Sequence, residues 1–178
     1  MKASEVVGRT VVTREGGQEL GKVKDIVVDE PGQKILGLVV SEGLLTGARV
    51  APWSALQAIG PDSVILSTKE SVVKPSEVPE IQRVLDSKKA IRGLRLQTTE
   101  GKDLGKVEDL EFDESTGAVE GYILSGGLLS DTVSGHSFLP LPLSIELGKD
   151  VAFVSPEAEA AIQQLSGGIK GAFKRSDQ

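Results

Sequence analysis

Cysteine is absent from all 178 residues. That removes disulfide frameworks and thiolate nucleophiles together, and nothing else in the composition points to a secreted, cross-linked domain. Aromatic residues are scarce, at 3% with one Trp and one Tyr, so the cores must be small and built from Val, Ile and Leu. Long apolar runs are missing as well. The longest uncharged stretch, residues 132–145, covers 14 positions and contains two prolines, whereas a bilayer span needs about 20 mostly apolar residues. The opening Met1-Lys2-Ala3-Ser4-Glu5 reaches charge at once and lacks the apolar centre of a signal peptide. The expectation is a cytoplasmic protein without membrane insertion.

An excess of positive charge is the last absence. The net charge is −6 with a pI near 4.9. Residues 1–90 carry 12 basic and 12 acidic side chains, while 91–178 carry 8 and 14. Nucleic-acid binding rests on basic surface that releases phosphate counterions. Direct nucleic-acid contact is therefore not expected, nor attraction to an anionic membrane. An acidic surface suits a basic partner protein, or serves solubility alone.

What the chain has in abundance is glycine, 21 residues, and self-similarity. Leu20-Gly21-Lys22-Val23-Lys24-Asp25 returns as Leu104-Gly105-Lys106-Val107-Glu108-Asp109, and over 20–45 against 104–129 twelve of 26 positions are identical. Chance would give about one or two in a window of that length. Pro52, Gly60 and Asp62 then match Pro140, Gly148 and Asp150 after four extra residues in the second copy. The chain is an internal duplication.

Each copy reads as β structure. In the first, residues 9–14 form a strand and Gly16-Gly17 a tight hairpin turn with positive φ. Strands follow at 22–29, 35–41, 48–52 and 63–68, with a type II turn expected over Glu30-Pro31-Gly32-Gln33. In the second copy, Gly117 suits the left-handed position of a three-residue hairpin. Five or so short strands at this spacing suggest a barrel or sandwich, and closure would remove exposed edges. Val23 and Val107 break the alternation set by Ile26, Val28, Leu110 and Phe112, which points to a β-bulge at Asp25 and at Asp109. These two carboxylates are assigned to capping backbone N–H groups there. Residues 79–88 carry Ile81, Val84 and Leu85 on one stripe and read as a connecting helix. Ser155-Pro156-Glu157 opens a second helix expected to run to about Leu165, followed by a short basic tail.

These residues resemble a known family. Ala3-Ser4-Glu5-Val6-Val7-Gly8-Arg9, the repeated Leu-Gly-Lys-Val-x-Asp core, Gly37-Leu38-Val39-Val40 and Val50-Ala51-Pro52-Trp53 are similar to the PRC-barrel, and the signature recurs from Gly93 to Val154. The resemblance implies an all-β fold with short helices: two tandem small PRC-like β-barrels of about six strands each. It assigns 1–75 to the first barrel, 76–90 to a helical linker, 91–155 to the second barrel, and 156–178 to the C-terminal helix and tail. Family members include the H subunit of photosynthetic reaction centres and a 16S rRNA maturation factor that binds a ribosomal protein. The family has no shared catalytic residues to carry over, and neither a membrane helix nor a second domain of those two kinds is visible here. The two barrels are expected to pack through a pseudo-two-fold relation.

His136, with Ser130, Asp131, Ser134 and Ser137, has the residue types of a nucleophilic triad, but all crowd one loop that the first copy lacks. Glu108, Asp109, Glu111, Asp113 and Glu114 alternate along a strand instead of converging as a hard cation requires. Gly168-Ile169-Lys170-Gly171 has the form of a GxxG loop without its α/β surroundings. No phosphate-binding glycine motif occurs. No catalytic residue, metal or cofactor is therefore assigned. Trp53 is either a plug at a barrel end or a partner anchor, and Leu44, Leu45, Leu128 and Leu129, in matching loops, are candidate contacts. The function expected is a non-catalytic protein–protein interaction or scaffolding module, with a homodimer as one form of that contact. The alternative is an accessory factor in RNA metabolism or ribosome assembly that acts through a protein contact.

Overall fold

A computed structural model describes residues 1–41, 47–126, 135–141 and 144–165. After a one-turn helix, α1 (Ala3–Val6), the first repeat forms β1 (Thr10–Thr13), β2 (Glu19–Val28), β3 (Ile35–Ser41), β4 (Arg49–Pro52), β5 (Leu56–Ile59) and β6 (Ser63–Leu66). Helix α2 (Pro79–Ser87) leads into β7 (Arg95–Thr98), β8 (Asp103–Phe112), β9 (Val119–Ser125), β10 (His136–Pro140), β11 (Ile145–Leu147) and β12 (Val151–Val154). A short α3 (Ala158–Ala161) and β13 (Gln163–Leu165) follow.

Each repeat builds its own sheet, in the order β4-β3-β2-β1-β6-β5 and β11-β12-β7-β8-β9-β10-β13. The two orders are the same once β13 is set aside. β1 and β6 pair parallel, as do β7 and β12, and every other pair is antiparallel. The edge strands β4 and β5 are joined only by the 3-10 turn Trp53–Ala55, so the two edges of the first sheet are brought back toward each other and the sheet curls into a barrel. Val23, Ile26, Leu38 and Val40 fill its interior, matched by Val107, Leu110, Tyr122 and Leu124 in the second.

The long central strands bend where the alternation of apolar residues breaks. The register of β2 on β3 shifts between Val23 and Asp25, and that of β8 on β9 between Val107 and Asp109. The extra residue lets Val23 and Ile26 face the same interior although their parity differs. Asp25 Oδ1 accepts the N–H of Ile26 at 2.8 Å, and Asp109 Oδ1 that of Leu110 at 2.9 Å.

Three expectations are corrected. The turn after β2 is closed by Gly32 N–H on the Asp29 carbonyl, one residue earlier than a type II turn over Glu30–Gln33. The Asp29 carboxylate takes the N–H groups of Gln33 and Lys34 instead, and Gly32 still adopts a positive φ of 72°. The final helix stops at Ala161 and does not reach Leu165. Gln163–Leu165 turns into a strand because it can pair with the open side of β10, and backbone pairing outweighs a four-residue helix with little apolar face. Strand β5 is additional to the strands expected, and its register shift between Leu56 and Ala58 erases the alternation that would have revealed it.

Helix α2 covers the outer face of the first sheet, with Ile81, Val27 and Val50 forming a small separate core. This explains why β2 is apolar at three successive positions, Ile26, Val27 and Val28. In β8 the position equivalent to Val27 is Glu111.

Candidate functional site

The two sheets share one continuous core, because the hairpin after β2 and the hairpin after β8 meet face to face. Ile35 donates its N–H to the Gly117 carbonyl, and Val119 donates to the Gln33 carbonyl, both at 2.8 Å. Ile35 and Val119 are equivalent in the repeats, as are Gln33 and Gly117. The exchange is therefore reciprocal, as a two-fold relation demands. The axis passes by the antiparallel pair Lys34 and Ala118.

Aromatic residues clamp this junction. Trp53 follows β4 of the first repeat and stands edge-on to Phe112 of the second, with ring centroids 5.8 Å apart at 88°. Gly117 leaves room for the indole: a Cβ there would lie 2.7 Å from Trp53 Cε2. Tyr122, fully buried, donates its hydroxyl to the Gly32 carbonyl of the opposite hairpin. Burial first, and the Asp29 charge second, raise the Tyr122 pKa above its ordinary 10.0. Trp53 thus packs against the other half of its own chain.

The bulge carboxylates sit on either side of the axis, and their surroundings differ. On β8, residues 1–6 lie across the strand. Met1 and Phe112 exchange both backbone hydrogen bonds at 2.9 Å, the N-terminal ammonium being the donor on one side. The Ser4 N–H points at the Asp109 carboxylate, 3.1 and 3.3 Å from its oxygens. Ala3 and Val6 are sealed, and Asp109 is 7% exposed. Glu5 folds back to accept the Lys2 N–H at 3.1 Å, which holds the turn.

On β2 the matching place is open. The Asp25 side chain is 60% exposed, and among the described residues its polar partners are the Ile26 N–H and Arg92, the latter at 3.9 Å. A cavity of about 610 Å³ lies there, between β2, the end of α2 and β8. Asp25, Val28, Leu85, Lys88, Ile91 and Glu108 are among the residues that line it. Lys88 caps α2 in the left-handed conformation, φ 52°, and residues 88–90 run on without a helical turn.

The other groups with chemical potential have structural occupations. His136 Nε2 lies 2.7 Å from Glu108 Oε2 at the surface. Asp113 closes the hairpin after β8: the Ser115 hydroxyl first, then the Thr116 N–H, hold its carboxyl down at about 2 against an ordinary 3.8. Among the described residues, no group of three or more potential ligands converges as a metal site would. Leu44, Leu45, Leu128 and Leu129, the serines and aspartate at 130–134, and the GxxG stretch at 168–171 lie outside the described residues. The groove-filling role of Ala3–Val6 was not read from the sequence, although Ala3 and Val6 at i and i+3 are its signal.

The fold and junction define a class: duplicated small β-barrels that bind one another through reciprocal hairpins. The PRC-barrel domain family matches residues 1–73 and again 87–160, and the chain belongs to that family. Among curated proteins no relative of the chain is found. No helix among the described residues is long and apolar enough to cross a membrane.

Proposed function

We propose that this protein is a non-catalytic protein–protein interaction module, and that its contact surface is the groove at Asp25 between the two barrels. One observation carries the reading. Two equivalent grooves exist, one already holds a peptide segment, and the other stands open at about 610 Å³. Ligand pockets commonly fall between about 300 and 1,000 Å³. The groove mixes apolar walls with Asp25, Lys88 and Glu108 at its rim, as a site for a polypeptide would. His136, Glu108, Asp109 and Asp113, engaged in bonds within the fold, support a binding role over a catalytic one.

Ala90 is exposed and lines the groove, so Ala90→Trp obstructs it while leaving Asp25 itself unchanged. Affinity capture from lysate of the source cells, with the full chain as bait, is the test. Wild type should retain a defined protein that the Ala90→Trp bait loses. An unchanged set moves the contact off the groove, and the absence of any retained protein ends the reading.

A further inference from the structure

The repeat shows what the open groove is shaped to receive. Gly8 donates its N–H to the Val23 carbonyl at 2.8 Å, and Gly93 donates to the Val107 carbonyl at 2.7 Å. Gly8 and Gly93 therefore correspond, and α1 (Ala3–Val6) corresponds to residues 88–91. Val6 and its counterpart Ile91 are both buried, at 0% and 5% exposure. The three residues before them diverge. In the first repeat they are Ala3-Ser4-Glu5, which form a turn on the partner barrel's bulge. In the second they are Lys88-Lys89-Ala90, drawn away as the exit from α2. The bulge at Asp25 keeps its own geometry, with the same bond to the following N–H, and its Oδ2 has no hydrogen-bond partner among the described residues.

We infer that the groove at Asp25 binds a single helical turn from a separate partner protein, of the form small–Ser–x–aliphatic shown by Ala3–Val6. The inference rests on the protein-interaction reading. The recognition element is a backbone N–H at the start of the turn, donated to the Asp25 carboxylate as Ser4 donates to Asp109. The small residue enters the space that Ala3 fills on the other side; the place of Val6 is already held by the chain's own Ile91, so the aliphatic residue packs beside it, toward Val28 and Leu85. A second copy of this chain is not the occupant, because its own Ala3 and Val6 are sealed and its Met1 is bonded on both sides.

The probe is a labelled synthetic peptide, Met-Lys-Ala-Ser-Glu-Val-Val, with a free amino terminus, titrated into the full chain by fluorescence anisotropy. Saturable binding is expected, weakened about tenfold or more by Asp25→Ala, the scale of a hydrogen bond to a charged group. A peptide with Pro in place of Ser lacks the N–H and should weaken to the same degree. Ala90→Trp should also abolish binding, with circular dichroism and thermal melting confirming that each variant is folded. Equal binding of the Pro peptide, no response to either variant, or no binding at all overturns the inference. So does a concentration-dependent dimer of the unliganded chain that Ala90→Trp abolishes, since it would put a second copy in the groove. If the peptide fails while lysate capture still depends on Ala90, only this inference falls and the interaction reading stands.

Discussion

Trp53 and Phe112 meet edge to face across the junction of the two repeats, 5.8 Å between ring centroids and nearly perpendicular. The only Trp in the chain is thereby committed to holding the halves together. Trp53→Ala should destabilise the protein by about 2 to 3 kcal/mol, less than a fully buried Trp because Trp53 is only partly buried. Gly117→Ala should also destabilise, since it needs φ +74° and would press a methyl onto the indole. Urea unfolding of the full chain checks both. No change for Trp53→Ala would mean that the junction does not depend on this contact.

Tyr122 supplies a buried side-chain hydrogen bond across the junction. Tyr122→Phe should cost about 1 kcal/mol, the net value of such a bond. The raised pKa adds a pH signature. The folded state keeps the phenol proton that the unfolded chain releases, so the contribution is complete below the ordinary 10.0 and is lost as pH rises beyond it. Urea midpoints should fall with pH above 10 in wild type, and fall less in Tyr122→Phe.

Asp113 acts at the opposite end of the scale. Its carboxyl, held near 2, contributes stability above the ordinary 3.8 that disappears as pH drops from there toward 2. The acid limb of the stability profile, followed by denaturant melts between those values, should be shallower in Asp113→Asn.

The two bulge aspartates should answer differently to the same substitution. Asp109→Ala strips the acceptor from the N–H groups of Ser4 and Leu110 in a sealed place, and about 2 to 3 kcal/mol should be lost. Asp25→Ala removes one bond at an open site and should cost less than about 1 kcal/mol. Equal losses, measured by thermal unfolding, would contradict the asymmetry of the two grooves.

The asymmetry also shows where sequence reading stops. The repeated Leu-Gly-Lys-Val-x-Asp core, the parity break at Val23 and Val107, and the stripe Ile81, Val84, Leu85 are local patterns. Each reports its own element, because strand and helix periodicities act between near neighbours in the chain. Strand β5 escaped because its register shift hides the alternation. The stretch at 163–165 escaped because its strand form depends on the free side of β10, some 25 residues earlier.

The candidate site was less legible still. Trp53 read as a barrel plug more readily than as an anchor, and its actual neighbours Phe112 and Gly117 come from the other repeat. Asp25 and Asp109 occupy identical positions in their repeats, and no local pattern separates them. From its sequence alone the protein is determined as a duplicated, aliphatic-cored β chain with bulges at fixed places. Tertiary structure decided that Ala3–Val6 crosses to the far barrel while its counterpart at 88–91 is tied to α2. Covalent continuity with the helix, acting across the two-fold junction, leaves one groove filled and its twin open.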